Sequence, residues 1–195
     1  TMFSKDFSGG IMLLTGANSA TGLRSAPCRY LFCDEVDAFP SDVDGEGDPV
    51  ALAERRTTTF ARRKILLTST PTVKDFSRIE TEYALSDQRR YYVPCPSCGV
   101  MEWLKWPQLK WEKDRPSTVR YECEHCKERF EETHKPQMLA AGQWLATNKT
   151  AGKTAGFHLS GLYSPLGWCS WEQLVDDFLR AKGDAPALKS FVNTR

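Results

Sequence analysis

Three short stretches of the chain carry continuous rather than alternating apolar side chains: Ile11–Thr15, Tyr30–Cys33 and Ile65–Thr68. Each is followed by small, polar or acidic residues. Unbroken apolarity of this length predicts strands covered on both faces, as in a parallel sheet. Pro49–Arg62, between the second and third stretches, reads as a crossover helix, so strand, helix and strand make a βαβ unit. The Ala51–Arg63 arginines fall mainly on the solvated side of that helix, and Ser77–Leu85 predicts another helix.

The pattern changes at Arg89. Residues 91–132 carry two CxxC pairs and three of the six tryptophans, with few helical signals. A short helix is expected after Lys135, then a strand over Gly156–Tyr163. Trp171–Lys182 places Leu174, Val175, Phe178 and Leu179 on one side of an amphipathic helix. The expected organisation is an α/β region over 1–90, an insert over 91–132, and a return to the α/β region over 133–195.

Composition narrows the class. The chain has 195 residues, 41% hydrophobic, enough for a real core and too apolar for disorder. With 26 Lys+Arg against 25 Asp+Glu, the net charge of +1 excludes a strongly basic nucleic-acid coat. The balance is local: Asp34–Asp48 holds seven acidic residues and no basic one, while Ala51–Val93 holds nine basic and five acidic. No apolar run is long enough to span a membrane, and Thr1–Gly10 lacks the basic and apolar regions of a signal peptide.

The second apolar stretch ends in Asp34-Glu35, a Walker B pattern. A buried strand ends at the carboxyl edge of a parallel sheet, where ligands bind. An Asp there can hold the Mg²⁺ of MgATP, and a Glu beside it can orient the attacking water. The third stretch ends in Thr68-Ser69-Thr70-Pro71, and three consecutive hydroxyls at this place fit a segment that senses the γ-phosphate side. Arg24 lies on the Gly- and Ser-containing loop Gly16–Arg24 just before the Walker B strand. There an arginine can stabilise transition-state charge in cis or from a neighbouring subunit.

Two other motifs fail on spacing. Gly152-Lys153-Thr154 ends like a P-loop, but the required earlier glycine is Thr147. Asp42-x-Asp44-x-Glu46-Gly47 begins like an EF-hand loop, but its final glutamate would be Ala53, so Ser41–Asp48 reads as a mobile acidic loop.

Of seven cysteines, four form Cys95-Pro-Ser-Cys98 and Cys123-Glu-His-Cys126, separated by 24 residues. Each CxxC turn points two thiolates at one ion, and two turns complete an S₄ site that favours Zn²⁺. The spacer slightly exceeds the usual range of about 15–20 residues. Four protein ligands leave no open position, so the site is structural. His125, between two ligands, is expected to point outward, and Cys28, Cys33 and Cys169 to be ordinary thiols. Trp103, Lys105, Trp106, Lys110, Trp111 and Lys113 interleave rings and cations. They fit a nucleic-acid surface, or a small ribbon core with solvated lysines, which is the preferred reading.

Taken together, Gly16-Ala-Asn-Ser…Gly22-Leu-Arg-Ser, Arg29–Pro40, Leu67–Pro71, Cys95–Cys98 and Gly156–Trp168 resemble the ATPase half of lambda-type phage terminase large subunits, over nearly the whole chain. The resemblance implies a partial P-loop (RecA/ASCE-like) parallel sheet with helices and an inserted zinc ribbon. It implies ATP, Mg²⁺ and Zn²⁺ as cofactors, and coupling of ATP hydrolysis to double-stranded DNA translocation. Terminase small subunit, portal protein and further copies of the chain would be partners, in the host cytoplasm and without a membrane. It makes Asp34 the Mg²⁺-side carboxylate, Glu35 the catalytic one, Thr68, Ser69 and Thr70 the coupling segment, and Arg24 an arginine finger. The family's Walker A segment would lie before Thr1 and its nuclease after Arg195, so the isolated chain is expected not to turn over ATP at a motor-like rate. The alternatives are a superfamily 2 DExD helicase fragment, reading Asp34-Glu35-Val36-Asp37 as its box, and a non-catalytic zinc-ribbon binding module.

Overall fold

The computed structural model describes residues 3–73 and 75–194. They divide into two compact units, Thr1–Glu80 and Thr81–Arg195.

The first unit opens with a hairpin, β1 (Phe3–Phe7) against β2 (Gly10–Leu14), antiparallel from Phe3↔Leu14 to Phe7↔Gly10. Ser8 and Gly9 make its turn, and Gly9 sits at φ +94°, a conformation that only glycine adopts at no steric cost. The apolar Ile11–Thr15 stretch is therefore a strand, but of an exposed hairpin rather than of a buried parallel sheet: Ile11 is 56% and Leu14 48% exposed.

Then come α1 (Ala20–Arg24), β3 (Tyr30–Asp34), α2 (Pro49–Glu54), β4 (Lys64–Thr68) and the start of α3 (Arg78–Leu85), which continues past the division between the units. β3 and β4 pair in parallel, from Tyr30↔Lys64 to Asp34↔Thr68, as a βαβ unit requires. Their burial corrects the expectation of two covered faces. Cys33 is buried and Leu31 half-buried, whereas Tyr30 and Phe32 are exposed, Phe32 at 69%. The residues packed inside alternate along the strand, because α2 supplies Val50 to one face only.

The crossover helix is shorter than expected. Asp48 caps it by accepting from the Val50 N–H, and Pro49 fits the first helical position. After Glu54 the chain tightens to a 3₁₀ turn over Arg55–Thr57, where the buried Thr57 hydroxyl donates to the Glu54 carbonyl.

The second unit contains β5 (Arg89–Pro94), β6 (Met101–Trp103), β7 (Leu109–Glu112), β8 (Arg115–Glu122), β9 (Arg129–Phe130), α4 (Lys135–Ala140), β10 (Gln143–Leu145), β11 (Phe157–His158), α5 (Trp171–Ala181) and α6 (Ala185–Thr194). β5 pairs antiparallel with β10 and β6 and parallel with β11; β7, β8 and β9 form an antiparallel meander. The strand expected over Gly156–Tyr163 is only β11, followed by a 3₁₀ turn at Gly161–Tyr163.

One core unites this unit: Val93, Cys95, Leu109, Tyr121, Cys123 and Phe130 with Met138, Leu162, Trp171, Leu174 and Val175. Fully buried Trp171 packs on Tyr121 and Phe130, and its indole N–H donates to the Leu162 carbonyl at 3.0 Å. Trp106 and Trp111 are half-buried and pack inward, but not as a core of the insert alone: both meet Phe178 of α5 edge-on, and Trp106 also meets Phe191 of α6. Trp103, also half-buried, differs in lying beneath the Arg90 and Lys105 cations. No helix among the described residues is long and apolar enough to cross a membrane.

Candidate active site and metal centre

The parallel register of β3 and β4 brings the two polar strand ends of the first unit together. The Thr68 hydroxyl donates to Asp34 Oδ1 at 2.5 Å, and the Glu35 N–H donates to the same oxygen at 3.1 Å. Glu35 itself adopts the left-handed conformation, φ 55° and ψ 47°. A side chain with a Cβ pays roughly 1–2 kcal/mol there, so the conformation persists only where surrounding contacts fix it. It breaks the strand at once and lets a 3₁₀ turn, Val36–Ala38, start behind it with Val36 fully buried.

Behind this edge Asp37 collects donors from a segment 35–42 residues away in sequence. Its Oδ1 accepts the Ile79 N–H at 2.8 Å, and its Oδ2 accepts the Thr72 N–H at 3.0 Å and the Thr72 hydroxyl at 3.1 Å. The Ser77 hydroxyl bonds the same carboxylate, and the Asp37 N–H donates to Ser69 Oγ at 3.2 Å. Burial opposes the charge, but the bonds from Ile79, Ser77 and Thr72 outweigh it and hold the carboxyl below the ordinary carboxylate range. Ser69 is thereby fixed to the acidic edge, and its own hydroxyl donates to the Thr70 carbonyl at 3.2 Å; the Thr70 side chain is exposed.

Arg24 ends α1, which Ser19 caps by accepting from the Gly22 N–H. Its guanidinium meets Glu46 at 2.5 Å and its Nε donates to the Ala20 carbonyl. No hydrogen bond or ion pair among the described residues joins Arg24 to Asp34 or Glu35. The acidic loop that holds Arg24 is tied at its base, where Asp42 accepts the Gly45 and Gly47 amides at 2.8 Å and Val43 is buried. Sequence reasoning singled out Asp34, Glu35 and the hydroxyl run, and gave Asp37 a part only as the last residue of the alternative DExD box. Its place two residues after Asp34-Glu35 was the available signal.

In the second unit the four cysteines converge. Cys95 and Cys126 sulfurs lie 3.8 Å apart, Cys98 and Cys123 sulfurs 3.9 Å, and all four fall within 4.8 Å of one another. Four thiolates at about 2.3 Å from one ion in a tetrahedron stand about 3.8 Å from each other. The group can therefore hold a metal ion with little rearrangement.

The two knuckles repeat one backbone design. The Cys95 N–H donates to Val100 and the Gly99 N–H to Cys95, while the Cys123 N–H donates to Glu128 and the Lys127 N–H to Cys123. Gly99 and Lys127 occupy the left-handed region at equivalent places. The His125 and Cys126 amides point at Cys123 Sγ, so His125 serves through its backbone. Burial is the leading cause that pushes the Cys123 thiol up. A divalent cation reverses that preference by stabilising the thiolate.

Comparison with known proteins places both units. Residues 1–144 match the family described as phage terminase large subunit gpA, ATPase domain, and residues 154–195 match the terminase large subunit gpA endonuclease domain. The similarity to the endonuclease family thus begins inside the chain, ahead of Arg195. The chain is 32% identical to the terminase large subunit of Enterobacteria phage P21 across 100% of its length, covering 34% of that protein. It is 31% identical to the terminase large subunit of Escherichia phage lambda across 92% of its length, covering 31% of that protein. It therefore spans about a third of each relative. No solved structure matches.

Proposed function

The chain belongs to the phage terminase large subunit gpA family, and on that premise we propose that it forms the ATPase motor region of a viral DNA-packaging protein. The motor couples ATP hydrolysis to movement of double-stranded DNA into a capsid, and the parent protein also carries an endonuclease. The observation that carries this reading is the in-register meeting of Asp34, Glu35 and Thr68 at the carboxyl ends of two parallel strands. It is the place where a P-loop sheet of the RecA/ASCE type holds its nucleotide.

In this reading Asp34 holds the Mg²⁺ of MgATP, Glu35 orients the attacking water, and Thr68, Ser69 and Thr70 face the phosphate end. Arg24, now on Glu46, acts across a subunit interface in a homo-oligomer. The cysteine group holds Zn²⁺ as a zinc ribbon; the sulfur spacing supports that ion, and its chemistry there is structural. The terminase small subunit and the portal are the remaining partners, in the host cytoplasm.

The test is Glu35→Gln in the full-length protein. The carboxamide keeps the shape but cannot polarise water as a carboxylate does. Packaging-coupled ATP turnover should be abolished, and unchanged turnover rejects the assignment.

A further inference from the structure

The acidic edge ends at Glu35, yet a dense set of hydrogen bonds lies two residues on, at Asp37. Its carboxylate binds Thr72 twice, Ser77, and the N–H of Ile79, while its own N–H reaches Ser69. The three partners of the carboxylate belong to two structures: the segment leaving β4, and the first turn of α3. Ile79 is the second residue of α3, so its N–H has no partner within the helix, and Asp37 supplies one from outside.

Ser77 fixes the same turn, its hydroxyl accepting the Glu80 N–H at 3.1 Å. Arg78 adds a two-pronged pair to Asp48 at 2.7 and 2.9 Å. The negative carboxylate also stands at the positive end of the helix dipole, which strengthens each bond.

We infer that Asp37 is a positioning residue that locks the segment after β4 and the first turn of α3 to the Asp34-Glu35 edge, so that rearrangement at the hydroxyl run moves α3. This rests on the ATPase reading given above. The bonds run in one continuous chain. Thr68 is on Asp34; Ser69, the next residue, is on the Asp37 N–H; Thr72 is on the Asp37 carboxylate, which also holds α3. A shift of Thr68–Thr70 cannot occur without changing the bonds at Asp37. Thr72, with both its N–H and its hydroxyl on one carboxylate oxygen, moves with Asp37 as a unit. Asp37 touches no reacting atom; its action passes through the segments that do.

The experiment uses the full-length protein with Asp37→Asn, Thr72→Val and, as control, Glu35→Gln. In Asp37→Asn one oxygen becomes an NH₂ that cannot accept from Thr72 or Ile79. DNA-stimulated kcat should fall about tenfold while the KM for ATP stays within about twofold, because ground-state nucleotide binding is untouched. DNA moved per ATP hydrolysed should fall as well. Thr72→Val loses one donor and should shift the same quantities in the same direction by less. If Glu35→Gln leaves turnover unchanged, the ATPase reading itself fails. If Glu35→Gln abolishes turnover while Asp37→Asn keeps wild-type kcat and DNA movement per ATP, the inference is overturned. Loss of ATP binding and turnover together in both Asp37→Asn and Thr72→Val also overturns it, since Asp37 then only holds the fold. If Asp37→Asn does not fold, Thr72→Val decides.

Discussion

Removing the metal from the cysteine group should unfold the second unit. Cys95 and Cys123 are not appended to the surface; they are 2% and 0% exposed and share a core with Val93, Tyr121, Phe130 and Trp171. A structural zinc supplies about 10–16 kcal/mol to a small thiolate site at neutral pH. A domain of ordinary size retains only about 5–15 kcal/mol of net stability. Loss of the ion therefore removes as much free energy as the unit has, and leaves two buried thiols whose sulfurs repel when ionised. All six tryptophans, Trp103 to Trp171, lie in this unit, so indole fluorescence reports on it alone. Dialysis against a strong chelator should shift emission to the red and abolish the cooperative thermal transition; Cys123→Ser should do the same without chelator. Elemental analysis of the purified protein should give one zinc per chain. A metal-free chain with the same emission and melting curve would refute the reasoning.

Other outcomes follow from single residues. Trp171→Ala removes the largest fully buried side chain and an indole bond to Leu162, and should cost about 3–5 kcal/mol in urea unfolding. The Asp37 carboxyl lies below the ordinary carboxylate value it has in the unfolded chain, so its stabilisation is complete above that ordinary value and is lost as pH falls through the lower folded value. The difference in urea midpoint between the wild type and Asp37→Asn should accordingly be constant at neutral pH and shrink in acid. A difference that grows in acid contradicts the sign.

Local features were legible in the chain because local chemistry makes them. CxxC spacing builds its own turn, an apolar run ending in Asp-Glu becomes a strand ending in Asp34, and the Leu174-Val175-Phe178-Leu179 stripe becomes the buried side of α5. What escaped depends on partners distant in sequence. An unbroken apolar run does not reveal whether one face or two will be covered, so β3 and β4 looked more buried than they are. Phe3–Phe7 mixes apolar and charged residues evenly and gave no strand signal, yet pairing with β2 makes it one. Sequence pattern made Asp37 one of seven acids and the last residue of an alternative DExD box; its importance comes from Thr72, Ser77 and Ile79, which no local pattern connects to it.

The core of the second unit also bears on how the parent protein can be divided. Kinship to the ATPase family ends at residue 144 and kinship to the endonuclease family begins at 154. The buried cluster ignores that border, taking Val93, Tyr121 and Phe130 from one side and Leu162, Trp171, Leu174 and Val175 from the other. Severing the polypeptide between the two family regions would open a tryptophan-centred seam to water and leave both products sticky. The hereditary boundary and the folding boundary are different places, and separate expression of the two family regions calls for a cut beyond α6, whose Phe191 packs on Trp106 and Phe178, not between residues 144 and 154.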